Sequence, residues 1–187
     1  AWSGSSTTVC PSASARPSIS SPSTWFLGHP SRARKIFFDS IAVEFRDPDH
    51  LIGFPIVNEA SEQRLLTGAD IDPESLQRGS HGDLWVGDEF GPWILHFDAT
   101  GRLLDAPFAT PGGLMSPSNP FLGGNAATQP NSRGYEAMAI SPDGAFLYAA
   151  LEGATVAEVP STRRIVFEFS TRDEAFTGRT WDYRTEQ

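Results

Sequence analysis

An internal repeat with an offset of 62 residues restricts the possible folds of this chain more than any other feature of its sequence. In residues 74–91 and again in residues 136–153, a Glu is followed eight residues later by a Gly, then by a Leu-Trp or Leu-Tyr pair, and then by a second Glu and a Gly. An alternating segment follows each copy and ends at Phe97 or Phe169. This order of strand, tight turn, strand, loop and strand is typical of a propeller blade, in which aromatic and Gly positions recur.

The rest of the pattern also predicts β structure. Apolar and polar residues alternate, as in half-buried strands, in residues 41–45, 94–97 and 165–169. Turn-forming residues cluster between these segments, at residues 47–49, 81–83, 98–101 and 142–144. A helical period is not sustained anywhere over three turns, and only residues 72–77 permit a short helical turn. The predicted fold class is therefore mostly β, with β-propeller-like blades.

The number of blades predicts that the natural protein is longer than this chain. A blade usually takes about 40–45 residues, and the excess here lies in a loop rich in Pro, Gly and Asn at residues 105–133. The chain thus accommodates two to three blades. Because so few blades cannot close a ring and leave sheet edges open, we expect a partial propeller that belongs to a larger one.

Composition divides the chain near residue 40. Residues 1–40 contain eleven Ser and four Pro and carry a charge of +3, whereas residues 41–187 carry −12. This shift predicts a Ser/Pro-rich segment at 1–40 that is disordered or non-native, followed by a folded, propeller-like body at 41–187. The chain begins with Ala, and its first residues show no intact signal peptide.

Charge and residue usage exclude several classes of function. The net charge of −9 argues against nucleic acid or an anionic membrane as the main partner. The longest apolar run, at 145–151, is far too short for a membrane span, and the single Cys10 rules out an internal disulfide and a cysteine-based zinc cluster. The four histidines lack metal-ligand spacing, and His96 is predicted to lie at the edge of the core. Motifs of serine hydrolases and nucleotide-binding enzymes are absent.

Carboxylates at equivalent positions of the two repeats are the strongest chemical signal. Glu74, Glu89, Glu136 and Glu152 recur in register, and equivalent positions of successive blades converge around a propeller's axis. Such a ring of oxygen ligands suits Ca²⁺, which activates water for hydrolysis. Taken singly, each Glu is equally consistent with a solvated loop carboxylate or an acceptor at a strand end.

Three further acidic residues and one basic residue surround these positions. The acids that add negative charge nearby are Asp70, Asp72 and Asp88. Arg133 either clamps a phosphate or pairs with a neighbouring Glu.

Seven motifs in order resemble the phytase-like family, which is described as having the esterase-like activity of phytase. The similarity extends over about residues 47–184 and rests on LTGADIDPES at 66–75, GDLWVGDEFGP at 82–92, SPSNPF at 116–121, SRGYEAM at 132–138, SPDG at 141–144, LEG at 151–153 and FTGRTW at 176–181. Tyr135 and Ala137 depart from the Phe and Gly that the family pattern usually has, but neither departure replaces an acidic residue. Residues 1–40 do not resemble the family.

The resemblance implies a β-propeller and a hydrolase of phosphoesters or related esters. It implies that the active groups are acidic, which in this sequence are Glu74, Asp88, Glu89, Glu136 and Glu152. We take all five as candidate metal ligands for Ca²⁺, and Glu74, Glu89, Glu136 and Arg133 as candidate catalytic residues. The family also implies a small-molecule ester substrate, a bacterial or plant source, and a periplasmic or extracellular location.

Two other functions remain open at this point. A non-catalytic propeller that binds a ligand or protein is consistent with the absence of a nucleophile–base constellation and with the long loop at 105–133. A sugar-lactone hydrolase on a similar propeller would likewise place acidic residues around a divalent ion. Because fold does not determine function, the site itself has to discriminate between these readings.

Overall fold

Ten β-strands and one turn of 3₁₀-helix make up the regular structure in residues 35–38, 41–158 and 161–186, which the computed structural model describes. The strands are β1 (Lys35–Phe38), β2 (Ile41–Glu44), β3 (Pro73–Arg78), β4 (Leu84–Asp88), β5 (Trp93–Phe97), β6 (Phe108–Ala109), β7 (Tyr135–Ile140), β8 (Phe146–Leu151), β9 (Arg163–Ser170) and β10 (Ala175–Arg184). The 3₁₀ turn is at Val156–Glu158. The prediction of a mostly β chain is confirmed. Nowhere in these residues is a helix long and apolar enough to cross a membrane.

The repeat corresponds to two four-stranded antiparallel sheets with the same topology. Strands β3-β4-β5-β6 form the first sheet and β7-β8-β9-β10 the second, each in the order of the sequence, while β1 and β2 form a separate hairpin. The tight turns that join the first two strands of each sheet contain Gly82 and Gly144, with φ of +88° and +72°. Glycine adopts such positive φ values without the steric penalty of a Cβ atom. The 62-residue offset is therefore a structural repeat.

The short helical turn that the sequence permits at residues 72–77 does not form, because Pro73–Arg78 is strand β3. Leu76 and Gln77 pair with Val86 and Trp85 of β4, and the hydroxyl of Ser75 donates to the carbonyl of Tyr135 in the second sheet. Six residues carry too little periodic signal to outweigh these long-range hydrogen bonds.

Two hydrophobic clusters cover the two faces of the first sheet. One cluster packs residues 43–71 against this sheet, with Phe45 and Phe97 stacked at 4.3 Å between ring centroids. The other lies between the two sheets, where Trp85 packs against Phe169 with ring centroids 5.5 Å apart. Every residue of β4 and β5 is consequently buried. Full burial of each large apolar side chain is worth about 1.5–3 kcal/mol, which fixes the strand ends that carry the acidic residues.

The loop at 105–133 is anchored to the segment that follows β4. Ser116 donates from Oγ to the carbonyl of Phe90 at 2.5 Å, and Asn119 donates from Nδ2 to the carbonyl of Gly91 at 2.8 Å. Of the segment predicted to be disordered or non-native, residues 1–34, 39 and 40 lie outside the described residues, and residues 35–38 form β1.

Candidate functional site

Five carboxylates meet where the two sheets lie side by side. Glu89 belongs to two groups, one with Asp72 and Glu74 and the other with Glu136 and Glu152. In each group, one ligand atom per residue lies within 4.8 Å of the others. The structure thus brings the four repeat-related Glu residues and Asp72 into two adjoining groups that share Glu89. We call these five residues the acid cluster.

A β-bulge presents one Glu of the acid cluster in each sheet. In the first sheet, Pro73 pairs with Asp88 and Ser75 with Gly87, so that Glu74 is the extra residue that the strand register skips. In the second sheet, the pairing skips Glu136 in the same way. A bulge bends its strand and re-aims the side chain of the extra residue. The two bulges explain how both Glu side chains leave the alternating pattern of their strands and turn to the cluster.

The other two Glu residues are held by equivalent backbone hydrogen bonds. The N–H of Glu89, just after β4, donates to the carbonyl of Asp72 at 3.0 Å, and the N–H of Glu152, just after β8, donates to the carbonyl of Gly134 at 2.9 Å. Asp72 and Gly134 each stand two residues before the bulge residue of their sheet. The repeat therefore places the two pairs of Glu in matching positions.

Close backbone packing brings the two sheets within reach of each other at this point. A Cβ atom on Gly134 would lie 2.6 Å from the Cα of Glu89, and one on Gly87 would lie 2.9 Å from the Cβ of Tyr135. Side chains need more room than this, so glycine is required at both positions. Gly134 stands where the first repeat has Asp72, which is why the acid cluster has five members and not six.

Burial and mutual repulsion raise the pKa values of the two central carboxyls. The pKa of Glu89 is raised above its ordinary value, first by burial and then by the charges of Asp72, Glu136 and Glu152. The pKa of Glu136 is raised by burial and by Glu152, while the charge of Arg133 acts in the opposite direction. Like charges held this close favour a proton or a cation between them. A set of carboxylate oxygens is the ligand type that Ca²⁺ takes in proteins.

Arg133 pairs with a member of the acid cluster. Its Nη1 donates to Oε2 of Glu152 at 2.5 Å and to the backbone carbonyl of Ser132 at 2.9 Å. The sequence left two roles open for Arg133, a phosphate clamp or a pair with a neighbouring Glu, and the structure shows the pair with Glu152. About half of the Arg133 side chain is exposed, so the guanidinium lies at the solvent edge of the cluster.

The structure does not bring Asp88 to the acid cluster. Its side chain is fully buried and accepts hydrogen bonds from the N–H groups of Asp72 at 2.7 Å and Gly91 at 2.8 Å. Burial raises the pKa of Asp88 to about 7. The contacts of this carboxylate are those of a support for the loop that carries Glu89.

Asp72 is a member of the acid cluster, whereas the sequence predicts for it only a contribution of nearby negative charge. The signal available was the alternation of Asp70, Asp72 and Glu74, which places acidic residues at every second position. Asp70 turns away and is buried, where it accepts from the N–H groups of Thr67 and Val57. Of the three alternating acids, Asp72 and Glu74 therefore reach the cluster and Asp70 does not.

Comparison with known proteins finds one family model and one curated relative similar to this chain. A family model described as "Phytase-like: Esterase-like activity of phytase" matches residues 18–187. An "Uncharacterized secreted protein" of the fungus Arthroderma benhamiae (strain ATCC MYA-4681 / CBS 112371) is 29% identical over 106 residues. That match covers 45% of this chain and 20% of the relative, so the chain spans about a fifth of the length of the curated relative that it matches. No solved structure matches the chain.

Proposed function

This chain belongs to the phytase-like family, and we propose that it forms part of a hydrolase of phosphoesters or related esters, with the acid cluster as its Ca²⁺-binding site. The observation that carries the proposal is that carboxylates from two sheets form two groups of three that share Glu89. Their oxygen atoms fit a hard divalent cation, and the raised pKa values of Glu89 and Glu136 indicate excess negative charge there.

The positions of the residues in and beside the acid cluster suggest a separate role for each. Glu89, shared by both groups of carboxylates, and the bulge residues Glu74 and Glu136 are the ligands best placed to hold the cation, with Asp72 and Glu152 at either side. When bound, a divalent cation supplies Lewis-acid activation of an ester oxygen and of the attacking water. A carboxylate with a raised pKa is suited to accept a proton near neutral pH. Arg133 lies where it can bind the charge of an anionic substrate.

We infer further that the two sheets are successive blades of a β-propeller. Their first strands lie side by side, joined by hydrogen bonds from Ser75 Oγ to the Tyr135 carbonyl at 3.1 Å and from Gln77 Nε2 to the Met138 carbonyl at 2.7 Å. Of their last strands, β10 is largely exposed. In a propeller, first strands meet near the central axis, where ligands bind. The secreted relative supports an extracellular or periplasmic location.

The direct test is hydrolysis of p-nitrophenyl phosphate and p-nitrophenyl acetate with Ca²⁺ and with EDTA. We expect turnover that requires Ca²⁺ and is lost in the double variant Glu89→Gln/Glu136→Gln. The matched control is Glu62→Gln, because Glu62 is an exposed carboxylate outside the acid cluster and its replacement should leave turnover unchanged. Turnover that survives both EDTA and the double substitution would contradict the proposal.

A binding module without catalysis is the second candidate, and one feature favours it. A cleft of about 300 Å³ opens between the loop at 105–133 and residues 51–54, and its lining includes Phe54, Trp93, Met115 and Phe121. Mostly apolar clefts of this size bind small ligands. A ligand that quenches the fluorescence of Trp93, in a protein that hydrolyses neither ester, would favour this function over the hydrolase.

A further inference from the structure

A second group of titratable side chains lies at the opposite end of β4 from the acid cluster. Asp83 precedes β4 and Glu89 follows it, and six residues of extended chain separate them by about 20 Å. At the Asp83 end, His96 of β5 is surrounded by three carboxylates, from Asp83, Asp105 and Glu174. The first two belong to the first sheet, whereas Glu174 lies in the turn between β9 and β10 of the second.

Both ring nitrogens of His96 face carboxylate oxygens. Nε2 lies 2.9 Å from Oδ2 of Asp83, while Nδ1 lies 3.3 Å from Oδ2 of Asp105 and 3.8 Å from Oε1 of Glu174. A neutral imidazole has one N–H and one lone pair. Either neutral tautomer therefore directs a lone pair at an anionic oxygen, and a second ring proton or a metal ion at that nitrogen removes the repulsion.

The surroundings of His96 fix the orientation of its ring. The imidazole stacks on the indole of Trp85, with 3.7 Å between ring centroids and 6° between planes, and only 11% of the side chain is exposed. Histidines that bind metals typically donate their other N–H to a carboxylate, which selects the tautomer. Donation from Nε2 to Asp83 would leave the lone pair of Nδ1 directed at the Asp105 and Glu174 oxygens.

The spacing of the donor atoms matches a metal site. In a tetrahedral site with bonds of about 2.0–2.1 Å, neighbouring donor atoms are about 3.3 Å apart. The Nδ1 to Asp105 distance has this value, and Nδ1 and one oxygen each of Asp105 and Glu174 lie within 4.8 Å of one another. Asp105 and Glu174 are partly exposed, so water can complete the coordination. In addition, Oδ1 of Asp83 is buried without a hydrogen-bond partner among the described residues.

We propose that His96 Nδ1, Asp105 and Glu174 form a binding site for a divalent transition metal of the Zn²⁺ class, with Asp83 orienting the histidine. One nitrogen and two carboxylate ligands suit Zn²⁺ better than Ca²⁺, which takes oxygen ligands. Since Glu174 belongs to the second sheet, the metal would join the two sheets at the end remote from the acid cluster. This site is separate from the proposed ester-hydrolysing one.

The test is calorimetric titration of the EDTA-treated, dialysed chain with Zn²⁺ at pH 7.5. We expect a site whose affinity falls at least tenfold in Glu174→Gln and in His96→Gln, and about 10–100-fold in Asp83→Asn, the range typical of outer-shell residues. His81→Gln is the matched control, because His81 is an exposed histidine outside this group. Glu89→Gln, in the acid cluster, should also retain this affinity.

Several outcomes would overturn the proposal. It fails if Zn²⁺ does not bind, in which case a proton alone bridges His96 and its carboxylates. It also fails if Zn²⁺ binds with the same affinity to wild type, His96→Gln and Glu174→Gln. Glu174 lies on an exposed turn, so its variant decides the question even if loss of the Trp85 stack unfolds His96→Gln. Visible absorption of bound Co²⁺, present in wild type and lost in Glu174→Gln, provides a second readout.

Discussion

Glu74 and Glu136 occupy the same structural position 62 residues apart: each is the extra residue of a β-bulge in the first strand of its sheet. Each of the two residues belongs to a set of three carboxylates, and Glu89 is a member of both sets. Bulges re-aim side chains and are frequent beside active sites. The duplicated bulge is therefore the feature that turns two ordinary antiparallel sheets into a candidate cation site.

Substitution of a bulge residue should separate metal binding from stability. Glu136→Gln removes repulsion within the acid cluster, so we expect a small rise in metal-free stability, below about 1 kcal/mol because the residue is exposed. Saturating Ca²⁺, at about 100 times its Kd, should stabilise wild type by about 2.7 kcal/mol and the variant by much less. Thermal unfolding in EDTA and in Ca²⁺ measures both. Equal Ca²⁺-induced shifts in the two proteins would show that Glu136 is not a ligand.

Gly134→Ala should disturb the contact between the sheets. The added Cβ would lie 2.6 Å from the Cα of Glu89, so the backbone must move, at a cost of about 1–3 kcal/mol or more. Gly53→Ala is the control, because its Cβ would meet only the Phe121 ring, at an ordinary 3.7 Å. Urea unfolding of both variants compares the costs. Equal stability of the two variants would contradict the close packing described here.

Asp88 should make stability depend on pH in a defined direction. Its pKa is raised from 3.8 to about 7 in the folded chain, so the native state holds more protons than the unfolded state between these values. The contribution of Asp88 to the free energy of unfolding should then be largest below about pH 4. It should fall as pH rises through 7, by on the order of 4 kcal/mol in all. The raised pKa values of Glu89 and Glu136 act with the same sign.

The measurement is urea unfolding of the metal-free chain at several pH values between 4 and 8. Asp88→Asn removes the titrating group, so the fall in stability over this range should become much shallower. A variant with the same slope as wild type would show that Asp88 is ionised throughout.

Loss of a buried ion pair should lower the free energy of unfolding far more than loss of an exposed one. Arg64 is 1% exposed, and its Nη2 lies 3.1 Å from Oδ2 of the fully buried Asp47. Arg64→Ala would leave that carboxylate buried without its cation, and we expect a loss of about 3–5 kcal/mol. Arg102→Ala is the control, because its pair with Asp49 is exposed and should be worth about 0–1 kcal/mol. Chemical denaturation measures both losses, and similar values for the two would refute the distinction.

Much of the fold follows from signals that lie within a few residues of each other. The alternation at 94–97 and 165–169 predicts two strands that the structure contains as parts of β5 and β9. Gly82 and Gly144 mark turns by the conformation that only glycine adopts easily. At residues 72–77 the local pattern permits a helical turn, but pairing with β4 makes the segment a strand. A short local pattern carries no information about that partner strand.

The sequence by itself determined that the chain is mostly β, that its two units are related, and that Glu74, Glu89, Glu136 and Glu152 occupy matching positions. Only the tertiary structure decided that Asp72 joins these four and that Asp88, the neighbour of Glu89 in the sequence, is buried among backbone N–H groups instead. It alone brings Glu174 to His96, 78 positions earlier in the chain. The physical reason is that alternation and turns are local properties of the backbone. The position of a side chain at a shared site depends instead on strand register, bulges and the packing of one sheet on another.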